Sequence, residues 1–162
     1  MSRVYRLERT QFVPRPREEV FAFFSDAKNL ERLTPAFLHF RVHNAGPTAV
    51  HAGMLIDYKL KLFGLPFRWQ SRIDSFEPGR RFVDVQLRGP YRSWRHLHEF
   101  SDALGGTQML DQVDYELPLG PLGSLAHALF VRRTLGKIFD FRRAQVEELF
   151  GKMAMHNKGT FI

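Results

Sequence analysis

Residues 54–73 read MLIDYKLKLFGLPFRWQSRI and contain two runs in which apolar and polar side chains alternate. The first run has its apolar residues at the even positions from Met54 to Leu62, and the second has Phe67, Trp69 and Ile73 at odd positions. The FGLP sequence between them is typical of a turn. Period-two alternation on both sides of a turn predicts an antiparallel hairpin with one buried face.

The same pattern extends outward from this hairpin and predicts a sheet of about seven strands. The further strands are expected at residues 4–13, 38–42, 82–88, 92–100 and 107–117. Two short helices are expected after the first strand: one from Pro16 to Phe24, and one at residues 27–33 that Asp26 caps and Pro35 ends. A long helix, capped by Ser124, is expected at residues 125–151, because apolar residues recur there with helical spacing. The order predicts an α+β fold, with a curved antiparallel sheet around the long C-terminal helix.

Length and composition fit one self-sufficient domain. The chain has 162 residues, of which 16 are phenylalanine, and it has no cysteine. Disulfides, thiol nucleophiles and thiolate-bound zinc are therefore excluded. We expect residues 1–154 to form a single domain and residues 155–162 to be a frayed tail. No apolar run approaches the length of a membrane span, which favours a cytoplasmic protein.

The basic charge is dispersed along the chain. Its 24 basic and 17 acidic residues give a net charge of +7, and the densest basic spots are only the pairs Arg132–Arg133 and Arg142–Arg143. Nucleic-acid-binding tails carry longer blocks of like charge. We therefore expect a solvated cationic surface, no specific nucleic-acid partner and at most peripheral membrane contact. The sequence does not indicate an oligomeric state.

Three stretches carry a recognisable pattern: PREEVFAFFSD (residues 16–26), RGPYRSWRHLHEF (88–100) and YELPLGPLG (115–123). They resemble the SRPBCC, or START-like, superfamily with its helix-grip fold, and in particular a ligand-binding branch similar to polyketide cyclases and dehydrases. The resemblance covers nearly the whole chain and implies a hydrophobic pocket between the sheet and the long helix. It implies no single reaction, because only some members are enzymes.

Polar side chains on the inner sheet face are the candidates for chemistry. Trp94, His96 and His98 share one face of their strand. A turn near Gly105-Gly106 predicts that His96 lies opposite Asp111, in which case the carboxylate would raise the pKa of His96. The pair could act as a general acid and base, bind a ligand, or only hold two strands in register.

Other polar positions leave alternatives open. Arg142 falls within the apolar stripe of the long helix, so it could anchor a ligand, pair with Asp111 or Asp84, or extend outward to solvent. The faces of Asp84 and Gln86 depend on the length of the turn at Gly89-Pro90. The grouping of His96, His98 and Asp111 has the composition of a metal site. An H-x-H pair in an aromatic pocket is weak evidence for one, so we expect no metal or cofactor.

These patterns predict a protein that binds a hydrophobic small molecule of lipid, polyketide or aromatic type. The alternatives are an enzyme of the cyclase/dehydrase type that uses His96 and Asp111, and a lipid or quinone carrier at a membrane surface. The expected ligand-binding residues are Tyr58, Phe67, Trp69, Trp94, His96, His98, Asp111, Tyr115, Phe139 and Arg142.

Overall fold

The structure, a computed structural model, describes residues 3–43 and 49–151. Within them, seven antiparallel strands form one sheet in the order β1-β7-β6-β5-β4-β3-β2. The strands are β1 (Val4–Val13), β2 (Arg41–Val42), β3 (Leu55–Leu62), β4 (Leu65–Glu77), β5 (Arg81–Arg88), β6 (Ser93–Ala103) and β7 (Gly106–Glu116). The expected α+β helix-grip fold is confirmed. The tail expected at residues 155–162 lies outside the described residues.

Tight turns set the register of the two longest hairpins. Phe63 and Gly64 both have positive φ angles, 52° and 80°, as a two-residue hairpin turn requires. Between β6 and β7, Leu104 and Gly105 form the loop, and Ala103 pairs with Gly106. The turn is therefore centred one residue later than a pairing of His96 with Asp111 requires, and Asp111 lies opposite His98 instead. The shift is two residues, so the predicted inner face is preserved.

The short helices follow β1 but are less regular than predicted. Helix α1 covers Arg17–Phe24, and a 3-10 turn at Ala27–Glu31 takes the place of the second helix. The side chain of Asp26 accepts a hydrogen bond from the backbone of Lys28 at 3.0 Å, as a cap does. The strand expected at 38–42 is reduced to β2, because another 3-10 turn covers Ala36–Leu38 and His39 is left-handed, with φ 45°.

The long C-terminal helix starts five residues earlier than predicted. It comprises α2 (Gly120–Ala126), a π-helical turn (His127–Val131) and α3 (Arg132–Phe150). Leu119 is left-handed, with φ 71°, and Pro121 occupies the first turn, where a proline costs no hydrogen bond. Ser124 is therefore inside the helix and does not cap it.

The core lies between the inner sheet face and α3. The buried residues of α3 recur at helical spacing and face the sheet: Leu135, Phe139, Arg142, Val146 and Phe150. One cluster of apolar side chains surrounds Phe21, Phe82 and Phe100, and another surrounds Tyr115 and Phe139. Among the described residues, no helix is long and apolar enough to cross a bilayer.

Candidate functional site

A cavity of about 160 Å³ lies between the sheet and α3. Its walls are largely apolar and aromatic, with contributions from the short helices, from strands β3 to β6 and from α3. Its polar lining comprises Thr34, Tyr58, Ser71, Asp84, Tyr91, His96, His98 and Arg142. A concave apolar pocket with a few convergent polar groups is the usual form of a small-molecule site.

Most of the predicted binding residues line this cavity. They are Tyr58, Trp69, Trp94, His96, His98, Phe139 and Arg142. Phe67 instead lines a separate surface groove near the start of α2. The hydroxyl of Tyr115 lies 2.9 Å from Nε2 of His127, away from the cavity. Asp111 is only 2% exposed and lies behind the two histidines, so it does not line the cavity either.

Asp84 and Gln86 have different roles, which the sequence left open. Asp84 pairs with His96 across β5 and β6 and lines the cavity. The amide of Gln86 donates to the carbonyl of Tyr91 at 2.7 Å and accepts from the Tyr91 N–H at 3.3 Å. Gln86 therefore closes the loop between these strands. The pairing of β4 with β5 contains register shifts. Alternation alone therefore does not show which residues of β5 lie on the inner face of the sheet.

Asp111 is the centre of a buried polar cluster. Nε2 of His96 donates to Oδ1 of Asp111 at 2.9 Å, and Nδ1 of His98 lies 2.9 Å from the same oxygen. Nε of Arg142 lies 3.2 Å from Oδ2. Nη2 of Arg142 also lies 3.2 Å from Nδ1 of His98. Nη2 of Arg142 donates to Oδ1 of Asp111 at 3.3 Å. Both nitrogens thus lie near the carboxylate, which is the stronger acceptor because it is charged. The predicted contact between His96 and Asp111 therefore exists, but as a diagonal pair.

Asp84 extends the cluster toward the cavity. Its Oδ2 lies 3.2 Å from Nε2 of His98 and 3.7 Å from Nδ1 of His96. Its Oδ1 accepts from the Ser71 hydroxyl at 3.4 Å. Ser71 in turn accepts from Nε1 of Trp69 at 3.0 Å and lies 2.8 Å from the hydroxyl of Tyr58. Ser71 was not among the residues predicted from the sequence, although a serine between Trp69 and Ile73 on an inward face was a signal.

The pKa values of the two histidines shift in opposite directions. Burial, followed by the adjacent His98 ring, lowers the pKa of His96 to about 4, contrary to the expected rise. Burial also opposes the charged form of His98, but hydrogen bonds with Asp111 and Asp84 outweigh it and raise the pKa of His98. The ring centroids are 3.7 Å apart, so two positive charges there would repel strongly. A positive charge on this pair is therefore favoured on His98 over His96.

Burial and neighbouring charges also shift the pKa values of Asp111 and Tyr58. Burial opposes ionisation of Asp111, but the Arg142 charge and the two histidines hold its pKa well below the usual range. Burial raises the pKa of the Tyr58 hydroxyl, and the nearby Asp84 charge adds to this effect. Tyr58 is therefore a neutral hydroxyl at the cavity wall.

A possible metal-ligand group differs from the one considered in the sequence. Within the described part of the chain, Asp84, His96 and His98 bring one ligand atom each to within 4.8 Å of the others. Asp111 contacts the opposite edges of the histidine rings and is not the third member.

Solved structures share this architecture. Protein CV1439 from Chromobacterium violaceum is 15% identical, with a TM-score of 0.68 over 93% of this chain and 98% of that one. Ginseng major latex-like protein 151 from Panax ginseng is 10% identical, with a TM-score of 0.66 over 91% of this chain and 97% of that one. At these identities the likeness shows the fold alone.

A third similar structure is the nucleoside-diphosphate sugar epimerase from Corynebacterium glutamicum. It is 28% identical, with a TM-score of 0.59 over 88% of this chain, but the match spans only 28% of the epimerase chain. The present chain therefore corresponds to a minor part of that protein.

Sequence comparison gives the family. A search of curated proteins finds no match. Residues 13–141 match the family described as polyketide cyclase / dehydrase and lipid transport, which agrees with the predicted resemblance. Because this match spans most of the chain, including the sheet and much of the long helix, the chain belongs to the polyketide cyclase / dehydrase and lipid transport family.

Proposed function

We propose that this protein binds a hydrophobic small molecule in the cavity between the sheet and α3. The observation that carries the proposal is the cavity itself, whose walls are largely apolar and whose few polar groups converge around Asp84. Burial of apolar ligand surface would supply most of the affinity. The polar groups would fix the orientation of the ligand.

The size and lining of the cavity favour a compact ring compound. Cavities of roughly 150 Å³ lined by apolar side chains bind benzene, and this one has about 160 Å³. Trp69 and Trp94 pack edge to face, with centroids 5.4 Å apart, and Tyr91 contacts both. An aromatic ligand would extend this arrangement of rings.

The polar wall favours a ligand that carries a hydroxyl or another hydrogen-bond donor. Because Nε2 of His96 donates to Asp111, Nδ1 of a neutral His96 is an acceptor. It lies near the carboxylate of Asp84, which is also an acceptor. A ligand donor placed between them would satisfy both groups. The neutral hydroxyl of Tyr58 could accept a second hydrogen bond.

Intrinsic fluorescence tests the proposal directly. The chain has two tryptophans, and both line the cavity. Titration with phenols, naphthols and fatty acids should therefore change tryptophan emission in a saturable way, at one ligand per chain, for at least one of these classes. Emission that is unchanged by every class would contradict the proposal.

An exposed apolar surface favours a second candidate function, delivery of the ligand at a membrane. This apolar tip lies at the β3–β4 hairpin and the start of the long helix. Its members are all more than half exposed: Phe63, Leu65, Leu119, Leu122, Leu125, Leu129 and Phe130. The ring centroids of Phe63 and Phe130 are 6.1 Å apart, which joins the hairpin to the helix. Contiguous exposed apolar patches mark interaction surfaces.

Charge near the apolar tip is compatible with anionic lipid. Lys61 precedes the hairpin and Arg132 and Arg133 follow Phe130, and all three are exposed. Vesicles with anionic lipid should therefore bind the protein, and Phe63→Ser with Phe130→Ser should weaken binding at least tenfold. Leu104→Ser is the matched control, because Leu104 is fully exposed in the β6–β7 turn at the opposite end of the sheet. Equal binding by all three proteins would exclude a role for the tip.

A further inference from the structure

Three ligand atoms of the kind that transition metals prefer meet at the cavity wall. Oδ2 of Asp84 lies 3.2 Å from Nε2 of His98 and 3.7 Å from Nδ1 of His96, and all three atoms lie within 4.8 Å of one another. Ligands bound to one ion at 2.0–2.2 Å are about 3.0–3.5 Å apart. The observed spacing is close to this, so small side-chain adjustments would complete a site.

Hydrogen bonds with Asp111 already orient both histidine rings for metal binding. An ionised carboxylate only accepts hydrogen bonds, and Arg142 beside Asp111 favours that ionised form. Nε2 of His96 and Nδ1 of His98, each 2.9 Å from Oδ1 of Asp111, therefore carry the hydrogens. The remaining ring nitrogens are the two atoms next to Asp84. A carboxylate that accepts from the outer nitrogen of a metal-binding histidine is a recurrent feature of metal sites.

We propose that Asp84, His96 and His98 bind a divalent first-row transition ion of the zinc or ferrous type. Two imidazoles and one carboxylate on one side of an ion leave its other positions open. All three side chains line the cavity, so those positions would face a bound ligand. In the metal-free protein, the hydrogen on Nε2 of His98 occupies the place between His98 and Asp84.

The local charge supports a cation in spite of the aromatic walls. The carboxylates of Asp84 and Asp111 lie on either side of the His98 ring, and the positive charge of Arg142 lies against Asp111. The guanidinium also packs over the rings of Phe24 and Phe139, at 5.0 and 5.9 Å. Arg142 therefore leaves Asp84 available to the ion. The aromatic residues would exclude water from the open positions.

Cobalt binding to the untagged full chain tests the site with the metal alone, independently of any cavity ligand. We expect one Co²⁺ per chain, with visible absorption bands of protein-ligated cobalt. Asp84→Asn and His98→Gln should each weaken binding more than tenfold. Asp111→Asn should weaken it 10- to 100-fold, because it removes only the outer hydrogen bonds. His51→Gln, at an exposed histidine, is the control and should bind like the parent protein.

The proposal is wrong if no cobalt binds, or if Asp84→Asn binds cobalt as well as the parent protein does. Loss of binding in His51→Gln alone would also overturn it, because the ion would then lie on the surface. A second measurement does not depend on the folding of any variant. Electron paramagnetic resonance of the Cu²⁺-loaded parent protein should show coupling to two imidazole nitrogens, and coupling to one or none would contradict the site.

Discussion

Arg142 on α3 and Asp111 on β7 form an ion pair in the interior, with Nε 3.2 Å from Oδ2. Both side chains are less than 10% exposed. The pair joins the long helix to β7, the strand between β1 and β6, and it fixes the carboxylate that both histidines contact. The helix thus contributes to the polar cluster as well as to the apolar core.

Removal of this arginine should be costly for stability. Arg142→Met leaves the buried Asp111 without its guanidinium, and such a change typically costs about 3–5 kcal/mol of unfolding free energy. Arg143→Met is the matched control at an exposed neighbour and should cost less than about 1 kcal/mol. Urea denaturation measures both. If the two variants unfold alike, the pair contributes little to stability.

Ser71 should matter more than its small size suggests. Ser71→Ala removes the acceptor for the buried indole N–H of Trp69 and the partner of the Tyr58 hydroxyl. An unsatisfied buried polar group costs about 1–3 kcal/mol. Ser75→Ala, at an exposed position on the same strand, should change the unfolding free energy by less than about 0.5 kcal/mol. Equal effects in thermal or urea unfolding would argue against the hydrogen-bond chain.

Substitution by alanine should change stability in opposite directions at two glycines of the long helix. A Cβ at Gly123 would overlap the carbonyl oxygen of Pro118, so Gly123→Ala should destabilise the protein by about 1–3 kcal/mol. A Cβ at Gly136 would meet nothing within 4 Å, so Gly136→Ala should stabilise it by up to about 1 kcal/mol. Thermal unfolding of both variants checks the prediction, which fails if the two melting temperatures shift in the same direction.

Much of the fold follows from local patterns in the sequence. Period-two alternation located most strands to within a few residues, because one face of each is buried. The start of the long helix was missed, because the two prolines and two glycines of residues 118–123 suggest a loop. There the left-handed Leu119 and Pro121 begin the helix instead. Backbone geometry of this kind depends on tertiary packing and leaves no clear signal in the side-chain pattern.

Only part of the candidate site could be predicted from the sequence. Alternation placed Trp94, His96 and His98 on one face, and helical spacing placed Arg142 within the apolar stripe of the long helix but left its orientation open. The order of contacts depended on a two-residue difference in the register of β6 and β7, which made His98 the direct partner of Asp111. The cavity position of Asp84 depended on the register of β5, which short-range patterns do not determine.

Competition at the cavity tests the central proposal most directly. Ile138 lines the cavity from α3, whereas the neighbouring Lys137 is exposed. A tryptophan at position 138 therefore adds bulk inside the cavity, and a tryptophan at position 137 adds the same bulk outside it. Binding of the neutral fluorescent probe N-phenyl-1-naphthylamine should be saturable in the parent protein and in Lys137→Trp. In a folded Ile138→Trp it should be at least tenfold weaker. Equal probe affinity in all three proteins would contradict binding in this cavity.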